Sequence, residues 1–316
     1  MKREEFVRPF LVPPGSKISL KKDYDPGFKA DYASKSDADQ KLQADIQQLI
    51  ELQDKLYAQN THALLIVIQA MDAAGKDGVI KHVMSGLNPQ GTQVYSFKAP
   101  SPEELDHDYL WRCFKALPER GRIGIFNRSY YEEVLVARVH PEIIEHQKIP
   151  AELKDKKIWK RRFEEINQFE QYLVANGTIV LKFFLNVSKE EQRRRFLERI
   201  DLPEKNWKFS SADLKERGHW DEYQAAYEDV FNHTSTAWAP WYVVPADNKW
   251  FTRLAVGAVI YSTLRGLKLA YPTVDADKQQ ELLRAKAELE ADGGPLEPAV
   301  DKKKNKKKKK EEQEGE

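Results

Sequence analysis

The sequence predicts an α/β fold, a three-layer sandwich in which helices cover both faces of a five-stranded parallel sheet. Three observations carry this. Apolar runs of strand length, Ala63–Ile68 and Thr178–Val187, read as strands buried on both faces. Segments with apolar residues at helical spacing alternate with them. A loop of small residues ending in Gly75-Lys76 joins the first strong strand to the next helix.

Taken in order, residues 1–38 hold Pro9, Pro13, Pro14, Gly15, Pro26 and Gly27 and no periodicity, and read as an extended arm that wraps the core. Leu42, Ile46, Leu49, Ile50 and Leu56 make Lys41–Tyr57 an amphipathic helix. After the strand Ala63–Ile68, a helix buries Val79, Ile80, Val83 and Met84 and stops near Gly86–Pro89. Thr92–Phe97 is a weak strand, Pro102–Leu117 a helix with proline in its first turn, and Arg122–Phe126 a short strand. Glu132–Val139 reads as helical. Ala151–Asn176 is a long helix with the inward stripe Trp159, Phe163, Ile166, Phe169 and Leu173, capped by Gly177. Beyond Thr178–Val187, Ser188 N-caps a helix to about Ile200, and Glu191 completes a capping box. Residues 201–220 are polar and too long for an ordinary connection, which marks a lid or binding loop. Asp221–Phe231 is a helix, Trp241–Val244 a strand and Asn248–Leu269 the last core helix. The expected organisation is an arm (1–38), one phosphate-loop domain (39–272) and a charged helix with a lysine-rich tail (273–316).

Composition excludes several function classes. With 41% hydrophobic and 11% aromatic residues the chain can bury a core, so wholesale disorder is excluded. The net charge is +1, but residues 301–316 carry a surplus of +3, which leaves −2 for the rest. That disfavours a uniformly basic nucleic-acid binder, and any anion site must be a local patch. A single cysteine, Cys113, rules out an internal disulfide or a cysteine-rich metal site, and the seven histidines show no metal-ligand spacing. The charged start and the shortness of every apolar run point to the cytoplasm and away from a membrane. The many aromatics and the stripe on 275–291 allow a homo-oligomer.

Three constellations carry chemistry. In the loop Asp72-Ala73-Ala74-Gly75-Lys76-Asp77-Gly78, small residues let backbone N–H groups turn toward phosphate oxygens. The following helix adds its positive N-terminal end, and Lys76 a mobile charge for a phosphoryl group in flight. Lys81 extends the basic side of that helix. Asp77 stands where a Mg²⁺-binding Ser or Thr is usual, so the metal ligand must come from elsewhere, and Asp72 is the candidate. The second constellation, Phe126-Asn127-Arg128-Ser-Tyr-Tyr-Glu132-Glu133, follows a strand and so lies at the carboxyl edge of the sheet, where open α/β sheets bind ligands. Arg128 can hold phosphate bidentately, and Asn127, Glu132 or Glu133 can reach a metal or orient an acceptor. The third places Arg195 and Arg199 four apart on one helix face leading into the lid, which adds Lys205, Trp207, Lys208 and Arg217. Such arginines can close over phosphates, or form a solvated basic face. A dense basic run, Lys154–Arg162, is in part the wet face of its helix and in part able to steer a long anion.

The Asp72–Gly78 loop, Phe126–Glu132, the Glu191–Arg199 helix, Trp207-Lys-Phe-Ser210 and Ala239-Pro-Trp241, in this order over roughly residues 18–270, resemble the family-2 polyphosphate kinases. The resemblance implies a thymidylate-kinase-like P-loop fold with a helical lid. It also implies Mg²⁺-dependent phosphoryl transfer between inorganic polyphosphate and AMP, ADP or ATP. By the same resemblance Asp72 and Lys76 belong to the phosphate loop, Arg128 to the second motif, and Arg195 and Arg199 to the lid side. Asn127 stands where many members have Asp. Together with Glu132 it looks more like the branch that accepts both AMP and ADP. The alternative is an ATP-dependent nucleotide or small-molecule kinase of the thymidylate-kinase-like group, which would share loop and lid.

Overall fold

In the computed structural model, residues 3–32 and 34–293 are described; the lysine tract Lys302–Lys310 lies outside them. The sheet is built from β1 (Ala63–Ala70), β2 (Thr92–Ser96), β3 (Ile123–Asn127), β4 (Thr178–Asn186) and β5 (Trp241–Pro245). Its order is β2-β3-β1-β4-β5 and every pairing is parallel. The two strongest apolar runs of the sequence, β1 and β4, occupy the interior of the sheet. Leu64 to Ile68 are at most 1% exposed, as a central strand covered on both faces requires.

The longer helices are α1 (Lys35–Gln59), α2 (Lys76–Val83), α3 (Ile158–Ala175), α4 (Lys189–Asp201), α5 (Ser211–Gly218), α6 (Trp220–Thr234), α7 (Lys249–Gly266) and α8 (Ala276–Gly293). α7 packs against α1 and α2 and meets β4 and β5, while α3 packs against β4 and α6. The core thus fills both sides of one sheet. None of the described helices is long and apolar enough to cross a membrane. Contacts divide the chain at Tyr271/Pro272. In the second unit, α8 leaves Leu282, Leu283 and Leu289 exposed.

The N-terminal segment covers the free edge of β5. Leu11 bridges antiparallel to Tyr242, and the Val12 amide donates to the Trp241 carbonyl at 2.9 Å. Phe10 and Val12 are buried, and Phe6, Phe10, Phe28 and Phe251 interlock edge to face. Covering an edge removes a template for unwanted strand pairing. The segment is not uniformly extended, since Arg3–Val7 and Leu20–Asp23 are short helices.

Four expectations change in detail. Pro102–Leu117 is two short helices, Pro102–Leu105 and Trp111–Phe114, because the Asp108 carboxylate takes the Leu110 amide and offers the backbone a turn instead. Glu132–Val139 divides into a 3-10 turn, Tyr130–Val134, and the helix Val136–Val139. The long helix begins at Ile158, not Ala151, since Asp155 caps a separate turn by accepting from the Lys157 amide. The capping box at Ser188 is half formed. Ser188 accepts from the Glu191 amide, but its own amide donates to Asp247, and the Glu191 carboxylate turns to Arg194 and Arg195. The lid is helical: a 3-10 segment, Pro203–Lys208, leads into α5.

Candidate active site

The loop between β1 and α2 turns on two residues in the left-handed region, Ala73 (φ 60°) and Gly75 (φ 108°). Three successive carbonyls of this loop are fastened from behind by α4. Gln192 donates to the Asp72 carbonyl at 3.0 Å, and Arg195 to those of Ala73 and Ala74 at 3.0 and 2.8 Å. A peptide plane sets its N–H opposite its C=O. Carbonyls held toward α4 therefore aim the amides of Ala73 and Gly75 the other way, to the open side. Lys76, half buried, donates from Nζ to the Ala70 carbonyl at 3.1 Å. Burial, aided by nearby Arg128, pushes its ammonium below the ordinary lysine range. A less solvated ammonium exchanges a carbonyl for a phosphate oxygen at lower cost.

β1 and β3 are neighbours, so the loop leaving β1 meets the loop leaving β3. Asn127 pairs with Ile68 in register, and the Arg128 amide donates to the Ile68 carbonyl at 3.1 Å. Arg128 has φ 64°, a conformation costly for a residue with a side chain. Its guanidinium bridges two carboxylates, Asp72 at 3.2 Å and Glu132 at 3.5 Å. Burial raises the Glu132 carboxyl above the ordinary range, opposed by Arg128 and Lys76. Lys76, Asp72, Arg128 and Glu132 thus form one coupled group, although the chain separates Lys76 from Arg128 by 52 residues.

Two cavities meet at this group. One, of about 290 Å³, runs from Met71 and Asp72 beneath the lid, where Asp213, Glu216 and Arg217 of α5 face Tyr223 and Tyr227 of α6. The other, of about 480 Å³, is bounded by Lys98, Pro100, Tyr109, Ile143, Ile149 and Arg162 among others. Arg128, Glu132 and Val136 line both. A pocket with apolar walls and a few converging polar groups suits a small organic ligand, and the lid cavity, where Arg128 and Arg217 stand among Asp72, Glu132, Asp213 and Glu216, suits a phosphate that arrives with a divalent cation.

The other predicted residues fall into three places. Arg195, expected on the lid side, is 3% exposed and lies beneath the loop. Besides the two loop carbonyls it donates to those of Ala246 (2.6 Å) and Asp247 (3.1 Å) and to Glu191 (2.7 Å). These five contacts use every N–H a guanidinium has, so Arg195 braces the loop and has no donor left for a substrate. Asn127 and Asp77 hold each other, the amide donating to the carboxylate at 2.9 Å. Arg199 pairs with Asp213 of the lid at 3.4 Å. Lys81 stands exposed in the last turn of α2, and exposed Lys208 has its ammonium over the Trp207 ring. None of Lys81, Arg199 and Lys208 lines either cavity. Glu133 is taken by Gln147, which donates to both its oxygens, and by Arg162 at 3.2 Å. In the Lys154–Arg162 run the two arginines are committed, Arg161 to Asp155 and Arg162 to Glu133 and Glu165, while Lys160 is exposed and 3.8 Å from Glu164.

Several site residues had no signal in the sequence. Gln192, Asp213, Glu216, Tyr223 and Tyr227, and Tyr109 and Gln147 in the wall that they form with Arg162 and Glu133, are ordinary helix and turn residues until the fold gathers them. As to a metal, Asp72 and Glu132 are hard oxygen donors converging on one guanidinium. Mg²⁺ takes one or two carboxylates from a protein and the rest from phosphates and water, so this pair fits it. No group of three or more His, Cys, Asp or Glu among the described residues is placed to hold a metal alone.

Comparison with known proteins identifies the family. Residues 32–271 match the family model described as polyphosphate kinase 2. The chain is 52% identical over 284 residues to the ADP-polyphosphate phosphotransferase of Rhodopseudomonas palustris, covering 90% of this chain and 98% of that protein. It is 43% identical over 267 residues to the AMP/ADP-polyphosphate phosphotransferase of Meiothermus ruber, covering 84% and 96%. Among solved structures, polyphosphate kinase 2 from Arthrobacter aurescens superposes with a TM-score of 0.77 at 40% identity, over 87% of this chain and 98% of that one. The strand order, the loop after β1, the arginine after β3 and these matches together say that the chain belongs to the polyphosphate kinase 2 family.

Proposed function

We propose that this protein transfers a phosphoryl group between inorganic polyphosphate and adenine nucleotides, converting AMP and ADP to ADP and ATP. The observation that carries the proposal is the junction of two cavities at Arg128 and Glu132, beside Lys76. A donor phosphate on one side and a nucleotide on the other would meet there. The names of the relatives, one for ADP and one for AMP and ADP, support the same substrates.

The nucleoside takes the larger cavity, with Tyr109 and Arg162 in its wall, and the polyphosphate end lies on the loop under the lid. The amides of Ala73 and Gly75 and the N-terminus of α2 hold phosphate oxygens. Lys76 leaves the Ala70 carbonyl and Arg128 leaves Asp72 to spread over the phosphoryl group. Asp72 and Glu132 would hold Mg²⁺, which when bound screens the charge of the facing phosphates. An oxygen of the nucleotide's terminal phosphate attacks the terminal phosphorus of the chain. The P–O–P bond breaks, and the shortened chain keeps the electron pair. The nucleophile is already an anion, so no general base is needed and no protein side chain is phosphorylated. Arg199 and Arg217, on the lid side, can turn from Asp213 and Gln192 to the chain as the lid closes.

The test is turnover of AMP and of ADP with polyphosphate and Mg²⁺, ATP being excluded from the AMP reaction. Formation of ADP and then ATP is expected. Phosphorylation only when ATP is supplied as donor would give the activity of an ordinary nucleotide kinase and overturn the reading.

A further inference from the structure

Beneath the second motif lies an ion pair that the transfer chemistry does not use. Lys182 of β4 and Glu170 of α3 are both 0% exposed, with Nζ and Oε2 2.6 Å apart. The ammonium spends its other two N–H bonds on the Tyr131 hydroxyl (3.0 Å) and the Thr234 carbonyl (2.7 Å). The second Glu170 oxygen accepts from both the Tyr130 and Tyr131 hydroxyls, each at 2.8 Å. Every polar group of the cluster is satisfied.

Stability alone does not explain such a cluster. Taking two charges out of water costs about what their attraction returns, and well-packed apolar residues of similar volume often do as well. What the pair provides is a fixed position. Tyr130 and Tyr131 are residues between Arg128 and Glu132, and Ser129 beside them is itself fully buried. Arg128 is held at φ 64°, and a costly backbone angle of this kind persists only where the surroundings over-determine it. Thr234 is the last residue of α6, the helix that comes after the lid and carries Tyr223 and Tyr227 into the lid cavity.

We infer that Glu170 and Lys182 are positioning residues. Through the two tyrosine hydroxyls they set where Arg128 and Glu132 stand at the junction of the cavities, and through Thr234 they tie that junction to the helix behind the lid. The inference rests on the reading of Arg128 and Glu132 as groups that act on the transferring phosphate and its metal.

The experiment compares Tyr130→Phe, the Tyr130→Phe/Tyr131→Phe double variant and Glu170→Gln/Lys182→Met with wild type. Tyr130→Phe leaves Lys182 all its acceptors and so preserves the fold. Loss of a group that orients an active residue typically costs about 10- to 100-fold in activity or metal affinity. The double tyrosine variant is therefore expected to lose about tenfold in kcat and to need about tenfold more Mg²⁺ for half-saturation, with the polyphosphate KM unchanged. Tyr130→Phe should lie between it and wild type. The neutral pair keeps an amide oxygen for the two hydroxyls but takes the Lys182 donor from the Thr234 carbonyl, so it should lose some stability and show a smaller kcat loss than the double tyrosine variant. Wild-type kcat and Mg²⁺ dependence in the folded tyrosine variants would overturn the inference. So would a loss shared equally by kcat and both KM values that merely follows the melting temperature. Arg128→Ala is the control. If it too keeps full kcat, the reading of the site fails; if it is inactive while the tyrosine variants are normal, only the positioning role fails.

Discussion

Arg195 and Arg199 sit one helical turn apart on α4, yet they belong to different regions of the site. Arg195 is part of the floor, its five donors spent on four carbonyls and Glu191. Arg199 belongs to the lid side, partly exposed and paired with Asp213 at 3.4 Å. A guanidinium on fixed carbonyls holds the backbone in shape. One parked on a carboxylate can exchange that partner for a phosphate at little cost, because the pair is partly screened by water. Burial therefore decides the role that helical spacing leaves open.

The largest effect that tests this contrast is at the floor's mobile cation. Lys76→Ala should lower kcat by roughly 10³-fold, since its charge meets charge concentrated in transfer. Circular dichroism should be unchanged. Normal turnover in a folded variant would remove Lys76 from the mechanism.

Next comes the brace. Arg195→Ala takes the guanidinium from four backbone carbonyls, while Glu191 keeps Arg194, and should cost about 3 kcal/mol in denaturant unfolding. Arg199→Ala should stay within about 1 kcal/mol of wild type and instead raise the polyphosphate KM. Equal stability losses at the two positions would erase the distinction between floor and lid.

Glu132→Gln sharpens it by pH. Burial raises the folded-state carboxyl of Glu132, so the folded protein holds that proton more tightly than the unfolded chain. Its contribution to stability is fully present below the ordinary carboxylate range and is lost as pH rises through the raised value. The neutral amide has no such loss. Without added metal, Glu132→Gln should melt above wild type at pH 8 and approach it in acid, while needing about tenfold more Mg²⁺ for half-maximal turnover. A constant melting difference from pH 4 to pH 8 would contradict the assignment.

The smallest effect is at the lid. Asp213→Asn frees Arg199 from a partly exposed pair worth about 0.5 kcal/mol, so the polyphosphate KM should fall about twofold. An increase in that KM would mean that Asp213 helps to hold the substrate assembly.

Much of this was legible residue by residue. The run Leu64 to Ile68 reads as a central strand because it is short, rich in β-branched residues and followed at once by a small-residue loop, whereas the equally buried succession Leu254 to Ile260 belongs to a long helix. The loop declares itself through Gly75, which reaches φ 108° without a Cβ penalty, while Ala73 at φ 60° bears the cost that any side chain brings. Arg128 and Glu132 could be placed from their position at the carboxyl end of β3. The split of Pro102–Leu117 was not legible, since the side-chain turn at Asp108 competes with a helix whose periodicity survives the break.

Local pattern by itself determined the five strands, the phosphate loop and the second motif, because each is carried by residues adjacent in the chain: short strand-forming runs, small residues before Gly75-Lys76, and the segment directly after β3. Tertiary structure alone decided partners. The order β2-β3-β1-β4-β5 brings Asp72 to Arg128, Arg195 to Ala246, and Lys182 to Glu170 and Thr234. A charged side chain looks alike in sequence whether it faces water or a buried acceptor. Its function is set by what the fold places within about 3 Å of it, and the spacing of hydrophobic residues carries no record of that.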